Sequence, residues 1–558
     1  MNTRPLSIVA PLALLALLGL AACDKKQDTP TVPPPAPKTS QAPPAPTTVA
    51  AAEHEDPIAW RTGDVDVAFA EAKAANKPVF LYWGAKWCPP CNQMKATLFN
   101  KREFIERAEH FVPVYVDGDT PAAQKLGTRF SVSGYPTMVL FKPDGTEITR
   151  LPGEADPEHY LQVLTLGMNS ARPVSTTLKT ALADGKGLDA NDWRMLAWYS
   201  FDTDDQQLVP KAQVPSTLDR LATHCPADFA DTRARLLLKA AAADAPDEKG
   251  VAPLRSFDRK AALAQVERVL SSPAAARENF DMLTNAMPDI VKAVTAKGTP
   301  ERAKLVADAD HALAQLQGDK TLSNTDRVGA LVSRVALVKI DQPDGDGGRA
   351  NPVPVPDAMK QEIVAEVARV DRESTNPYER QTVINSAAYL LTQADMLDAS
   401  DALLKAELAK SHSPYYFMLD LASNAKKRGD KAAAIDWTAQ AYDGAKGPAT
   451  RLQWGTVYVN TLVDLAPDDA ARIEKAATQV LGEIEPEAAS FDGRNRRRLA
   501  SMTTKLGAWS AKGAHAAEAA QIAQASRGLC EKLPANAPER ARCADLLKVA
   551  PGKTGSFT

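Results

Sequence analysis

Trp87-Cys88-Pro89-Pro90-Cys91 sets two thiols two residues apart, between an apolar run from Pro78 to Gly84 and a helix-compatible stretch from Asn92 to Asn100. The apolar run is strand-like in composition, so Cys88 is expected where a strand ends and a helix begins. Unpaired backbone N–H groups and the helix dipole favour a thiolate at such a position. Two thiols so spaced can exchange two electrons with another disulfide. Half a zinc site and a plain structural disulfide are the competing readings, and zinc needs further ligands. No second CxxC and no spaced Cys/His cluster occurs in the chain. Dithiol–disulfide exchange is therefore the expected chemistry, with no metal and no organic cofactor.

Working outward, short apolar strands alternate with amphipathic helices between residues 56 and 168. Asp64 to Ala75 has helical spacing and is stopped by Asn76-Lys77-Pro78. Val79 to Trp83 is expected as a buried central strand. Phe111 to Val116 reads as the next strand, Pro121 to Gly127 as a short helix and Thr137 to Phe141 as a third strand. Pro143-Asp144-Gly145 makes a turn, so Glu147 to Leu151 should return antiparallel. A last helix is expected from Pro157 through Leu164.

Trp87-Cys88-Pro89-Pro90-Cys91 after a strand, then Gly134-Tyr135-Pro136-Thr137 and Gly153, together resemble the thioredoxin superfamily. Lys77-Pro78-Val79, Trp87-Cys88 and Phe99 to Phe104 look most like the periplasmic, C-terminal thioredoxin-like domain of the bacterial thiol:disulfide interchange protein. Cys88, the N-terminal thiol, is expected to be exposed and to attack a substrate disulfide as thiolate, and Cys91, one helical turn inward, to resolve the mixed disulfide. The resemblance implies a cis Pro136 packed against the pair and Tyr135 offering backbone hydrogen bonds to an extended substrate; Trp87 is read as a flat wall beside the thiols, with plain core packing as the alternative. Lys86 is a nearby cation, although an exposed lysine is mostly screened. Tyr82 stands where many thioredoxins carry a buried aspartate, and Pro113 where they carry a lysine. The proton acceptor is then expected to be water, a carboxylate such as Glu103 or Asp117, or a group on the partner.

The N-terminus carries Arg4 and an apolar run from Leu6 to Ala22, short for a membrane span and ending in Leu20-Ala21-Ala22-Cys23. That ending resembles the lipobox of bacterial lipoproteins. It implies a signal peptide over 1–22, lipidation of Cys23 and attachment to a bilayer in the cell envelope, facing the periplasm. Asp24 resembles the inner-membrane retention signal of enterobacteria. Residues 23–55 are rich in Pro, Ala, Thr and Lys, including Pro33-Pro34-Pro35, and carry too little apolar surface to bury a core. They read as an extended spacer.

From residue 172 to 550 the chain is rich in Ala, Leu and charged residues and is expected to be all-α. Tyr416 to Gly447, with Leu421-Ala422, a turn at Gly429-Asp430, Ala434-Ile435, Trp437 and Ala441, resembles a tetratricopeptide repeat. Ala394-Asp395, Ala399 and Ala406 recur about 35 residues earlier, a helix-pair period that implies a solenoid. Residues 341–356, dominated by Gly and Pro, read as a long loop or a break between helical blocks. Cys530 and Cys543 flank Pro534 to Pro538 and are expected to form a disulfide between antiparallel helices, or else to remain buried thiols. Cys225 beside His224 is left over and is expected as a plain thiol rather than a catalytic Cys/His pair, since no third group accompanies it.

The net charge of −3 is well mixed, so no nucleic-acid footprint is present. Arg494, Arg496, Arg497 and Arg498 form the one basic cluster, expected as a solvated helix end rather than an anion site. The resulting expectation is a lipid-anchored thiol:disulfide oxidoreductase of the cell envelope, more a reductase or electron shuttle than an oxidase. Its partners would be protein thiols or disulfides and a transmembrane electron donor, with the helical repeats choosing the client. The alternative is a scaffold or chaperone-like adaptor in which the redox domain is secondary.

Overall fold

The computed structural model describes residues 57–549 except 133, 152–156, 171, 202, 205–207, 245–257, 343–351 and 512–513. The expected signal peptide 1–22, the lipidated Cys23, the spacer 23–55, Gly153 and most of the 341–356 loop lie outside the described residues.

Asp64 caps the first helix, α1 (Val65–Ala75), by accepting the Asp66 N–H, and Asn76 ends it in the left-handed conformation. The chain then enters β1 (Val79–Gly84), whose six residues are all buried. Next come α2 (Pro89–Thr97), α3 (Arg102–Ala108), β2 (Val112–Asp117), α4 (Pro121–Arg129), β3 (Thr137–Phe141), β4 (Glu147–Leu151) and α5 (Pro157–Met168). The sheet order is β2-β1-β3-β4, with β1 and β2 parallel and both other pairings antiparallel.

Alternation along β1 feeds two cores. Phe80 and Tyr82 pack with Met94, Leu98, Phe104 and Tyr160 from α2, α3 and α5. Val79, Leu81 and Trp83 pack with Val65, Ala68 and Ala72 of α1 and Ala123 of α4. Burying both faces explains why β1 reads as a continuous apolar run, each buried Leu, Val or Phe contributing about 1.5–3 kcal/mol. This is a thioredoxin-like α/β domain.

Among the described residues, every regular element after α5 is helical, and no helix is long and apolar enough to cross a membrane. Helices Pro377–Gln393 and Leu397–Glu407 are joined through Asp395, and Pro414–Arg428 and Lys431–Gly444 through Gly429; both joints adopt positive φ. Asn385 Nδ2 donates to Asp420 Oδ2 at 2.6 Å, tying corresponding helices of the two pairs. Cys530 and Cys543, 13 residues apart with Cα atoms at 5.6 Å, form a disulfide between the helices Ala516–Glu531 and Pro538–Leu546.

The α/β domain and the helices share cores. Met195 and Trp198 join the Phe80 cluster, while Trp87, Cys88 and Cys91 join Tyr415, Trp454 and Leu499. Arg150 of β4 is fully buried and anchors the seam, donating from Nη1 to the carbonyls of Ser131 and Thr203 and from Nη2 to that of Phe130, at 2.7–2.8 Å.

Candidate active site

Cys88 is the N-cap of α2, with Pro89 and Pro90 filling its first two positions. Prolines fit there because their missing N–H groups would lack a partner and their φ is preset for helix. The helix thus begins three residues before the Asn92 start expected from composition. The next available donor, the Cys91 N–H, points to Cys88 Sγ at 3.4 Å. Both thiols are free and buried, Cys91 one turn inward. The Tyr135–Pro136 peptide bond is cis and opens β3 beside the pair.

Cys88 is only 3% exposed, which corrects the expectation of an exposed attacking thiol. The cover comes from the helical region. Tyr416 of Pro414–Arg428 stacks against Trp87 at 6.2 Å and 19°, and Trp454 of Pro448–Leu465 meets Trp87 edge-on at 5.8 Å and 70°. Thr382 Oγ1 of Pro377–Gln393 donates to the Pro89 carbonyl at 2.6 Å. Gln93 Nε2 donates to Asp326 Oδ1 at 3.1 Å at the start of Asn324–Val338. The final side is Gly493–Trp509, whose Arg494 and Asn495 N–H groups donate to Gln124 Oε1 of α4 at 3.1 and 3.3 Å.

Between these elements a cavity of about 450 Å³ opens onto Cys88. Its lining includes Trp87, Tyr135, Tyr416, Arg494, Arg497 and Arg498. The basic cluster, expected as a solvated helix end, therefore supplies three side chains to the wall above the thiol. Arg494 faces the rings of Trp87 and Tyr135, its guanidinium carbon 4.6 and 5.0 Å from their centroids. No local signal in Arg494 to Arg498 announces this placement, because the partners lie in the α/β domain.

Burial first, and then the hydrogen bond with Cys91, push the Cys88 thiol well above its usual range, while Arg494 acts in the opposite direction. Burial thus opposes the thiolate that the helix N-terminus favours. Tyr82 lies beneath the pair: its hydroxyl donates to the Cys91 carbonyl at 3.5 Å, and burial keeps the phenol protonated. A Cβ at Gly84 would stand 2.6 Å from that hydroxyl, so only glycine leaves room for it. Glu103 is exposed on α3, and Asp117 accepts the Asp119 N–H at 3.1 Å. Asp119, which the sequence did not single out, accepts from Trp87 Nε1 at 3.4 Å and from Thr450 Oγ1. Burial raises its carboxyl above the ordinary range. Lys86 is exposed, and only its carbonyl is drawn in, accepting from Asn92 Nδ2 at 3.1 Å.

Cys225 lies apart in a separate apolar cluster, its thiol pushed up to about 11 by burial. The neighbouring His224 ring bonds through Nδ1 to the Ala181 carbonyl at 2.8 Å. Among the described residues no group of three or more His, Cys, Asp or Glu could hold a metal ion.

Residues 65–167 match the thioredoxin-like domain family. The chain is 31% identical over 99 residues to the thiol:disulfide interchange protein DsbD of Pseudomonas fluorescens, which is 17% of each chain. It thus spans about a sixth of the length of the interchange proteins it matches. Thioredoxin H4 of Arabidopsis thaliana is 33% identical over 106 residues, covering 18% of this chain and 83% of the relative. The solution structure of a thioredoxin from Thermus thermophilus aligns over 19% of this chain and 85% of its own at 31% identity, with a TM-score of 0.18. Through the domain that carries Cys88 and Cys91, the chain belongs to the thioredoxin family.

Proposed function

We propose that this protein is a thiol:disulfide oxidoreductase whose substrate reaches Cys88 only by way of the helical region. The observation that carries the reading is the seating of Cys88 at the N-cap of α2, with Cys91 one turn behind it and both enclosed by helices from Asn324 to Trp509. In the forward step the Cys88 thiolate attacks one sulfur of a substrate disulfide. That S–S bond breaks, the released thiolate takes a proton, and a mixed disulfide forms on Cys88. Cys91, on losing its proton, attacks Cys88 Sγ and expels the second substrate thiolate. Two electrons have then moved to the substrate, and a dithiol donor must reduce Cys88–Cys91 again.

That the Pseudomonas fluorescens relative DsbD is a thiol:disulfide interchange protein supports the same chemistry here. Residues 56–168 are the redox domain and 172–550 a tetratricopeptide-like solenoid that chooses the client. The chain works in a bacterial envelope, tethered through a lipidated Cys23 and the 23–55 spacer, exchanging with protein thiols or disulfides and recharged by a membrane-bound donor. The sequence of residues 20–23 supports the tether.

The test is reaction of the reduced full chain with the neutral bis(2-hydroxyethyl) disulfide. Formation of a Cys88–Cys91 disulfide that is lost in Cys88→Ser supports exchange; equal oxidation of wild type and variant sinks it. A Cys91→Ala trap, which retains the mixed disulfide on Cys88, would identify the client. Burial of both thiols favours a second reading, a scaffold in which the helices are the working surface and the redox pair is secondary. Undiminished partner capture by Cys88→Ser/Cys91→Ser would favour it.

A further inference from the structure

The wall of the Cys88 cavity carries more positive charge than disulfide exchange itself needs. Arg494, Arg497 and Arg498 converge there from one helix end. Among the described residues, none of the ion pairs includes Arg494 or Arg498. The nearby acid, Asp119, feels Arg494 but is already bonded to Trp87 and Thr450. The backbone N–H groups of Arg494 and Asn495 are spent on Gln124, so the charge offered to the cavity is that of the side chains. Burial, followed by the proximity of Arg494 and Arg497, depresses the Arg498 pKa. Like charges gathered beside a low-dielectric wall repel one another, and an entering anion relieves that repulsion.

Size points the same way. About 450 Å³ lies within the range of about 300–1,000 Å³ typical of small-molecule sites, enough for a short disulfide-bearing segment. With Cys88 3% exposed, the flat surface of a folded protein is held off Sγ, and the approach left is the cavity that Cys88 lines, which suits a narrow chain. Trp87 and Tyr416 supply apolar lining for the carbon skeleton, beside guanidiniums that match carboxylates in fork geometry.

We propose that the cavity selects an anionic disulfide, one flanked by carboxylates on a short peptide or on an unfolded acidic segment of a larger partner. This rests on the reading of Cys88 and Cys91 as an exchange pair. The covalent steps are those given above: the selected S–S bond is cleaved to two thiols as Cys88–Cys91 forms, and the arginines change no bond.

The test oxidises the reduced full chain in single turnovers with glutathione disulfide (anionic), bis(2-hydroxyethyl) disulfide (neutral) and cystamine (cationic). Each rate is divided by that of dithiothreitol with the same compound, which removes intrinsic reactivity. The anionic-to-neutral ratio should be about tenfold, with the cationic compound below both, and should fall towards one as ionic strength rises to about 0.5 M. Arg498→Ala with Arg497→Ala should lower that ratio about tenfold, a quantity that cancels any loss common to both substrates, and Arg498→Lys should restore part of it. An acidic decapeptide disulfide identifies the source: faster reaction than glutathione disulfide indicates a protein segment, slower reaction a free small disulfide. Equal normalised rates for all three compounds, or a ratio unmoved in the arginine variants, overturn the selectivity alone. If none of the three reacts, the exchange reading falls and the selectivity with it.

Discussion

The indole of Trp87 lies nearly parallel to the phenol of Tyr416, 6.2 Å between centroids and 19° between planes, so the residue beside the first thiol is roofed by the helical region. Trp454 closes the same ring edge-on at 5.8 Å. Access to Cys88 is thereby a property of the helices as well as of the redox loop.

Removing the Tyr416 ring should open that roof. In Tyr416→Ala, alkylation of Cys88 by uncharged iodoacetamide is expected to rise about tenfold, because local opening no longer has to break the stack. Peptide mapping of the alkylated Cys88 measures this, and an unchanged rate would show that the roof opens without disturbing Tyr416.

Burial holds Cys88 in its protonated form above the usual thiol range. The reactive thiolate is therefore scarce at neutral pH, and its fraction rises about tenfold per pH unit until the raised pKa is reached. Alkylation of Cys88 should keep climbing past about pH 8.5, where an ordinary thiol levels off. Arg494→Ala should move the profile to still higher pH, since Arg494 favours the thiolate. A plateau below pH 8 would contradict both expectations.

Asp420 offers a test through stability. Burial raises its carboxyl to about 7, while Asn385 opposes the shift. The folded chain therefore binds this proton more tightly than the unfolded chain, whose value is about 3.9. The stabilising contribution is complete below about pH 4 and is lost as pH rises through 7. Asp420→Asn keeps an oxygen for Asn385 Nδ2, so in urea unfolding the variant should gain on the wild type by about 4 kcal/mol between pH 4 and pH 8.

Arg235 and Asp281 form a buried fork, with Nη1 and Nη2 at 2.9 and 2.6 Å from the two carboxylate oxygens. The guanidinium also lies 3.3 Å from the centroid of Trp198, which belongs to the core beneath the sheet. Asp281→Ala strands a buried cation and should cost about 3–5 kcal/mol in chemical denaturation. Arg235→Met with Asp281→Leu removes both charges and should cost much less; equal losses would assign the effect to packing.

Local signals in the sequence determined the elements that stand on short-range physics. Thr137–Phe141 and Glu147–Leu151 form the strands their apolar runs and the Pro143-Asp144-Gly145 turn predict, and Gly429-Asp430 joins the helix pair expected there. The seven-residue α3 carries no such local signal, because Lys101 makes no side-chain cap and the helix is held by Phe104 in the core. α2 begins at Pro89 rather than at Asn92 because Pro89 and Pro90, which lack an N–H and have a preset φ, suit the unpaired first turn of a helix.

A strand–helix junction bearing two thiols and a long helical remainder are legible along the chain, since each follows from spacing, capping and burial within a few residues. The enclosure of Cys88, its shielding by Tyr416 and Trp454, and the approach of Arg494, Arg497 and Arg498 arise from packing between distant segments. Those contacts join segments more than 300 residues apart, as in the His412 to Lys86 hydrogen bond with its separation of 326. No periodicity along the chain encodes such a meeting; it comes from packing the helices back onto the redox domain to bury a shared apolar core.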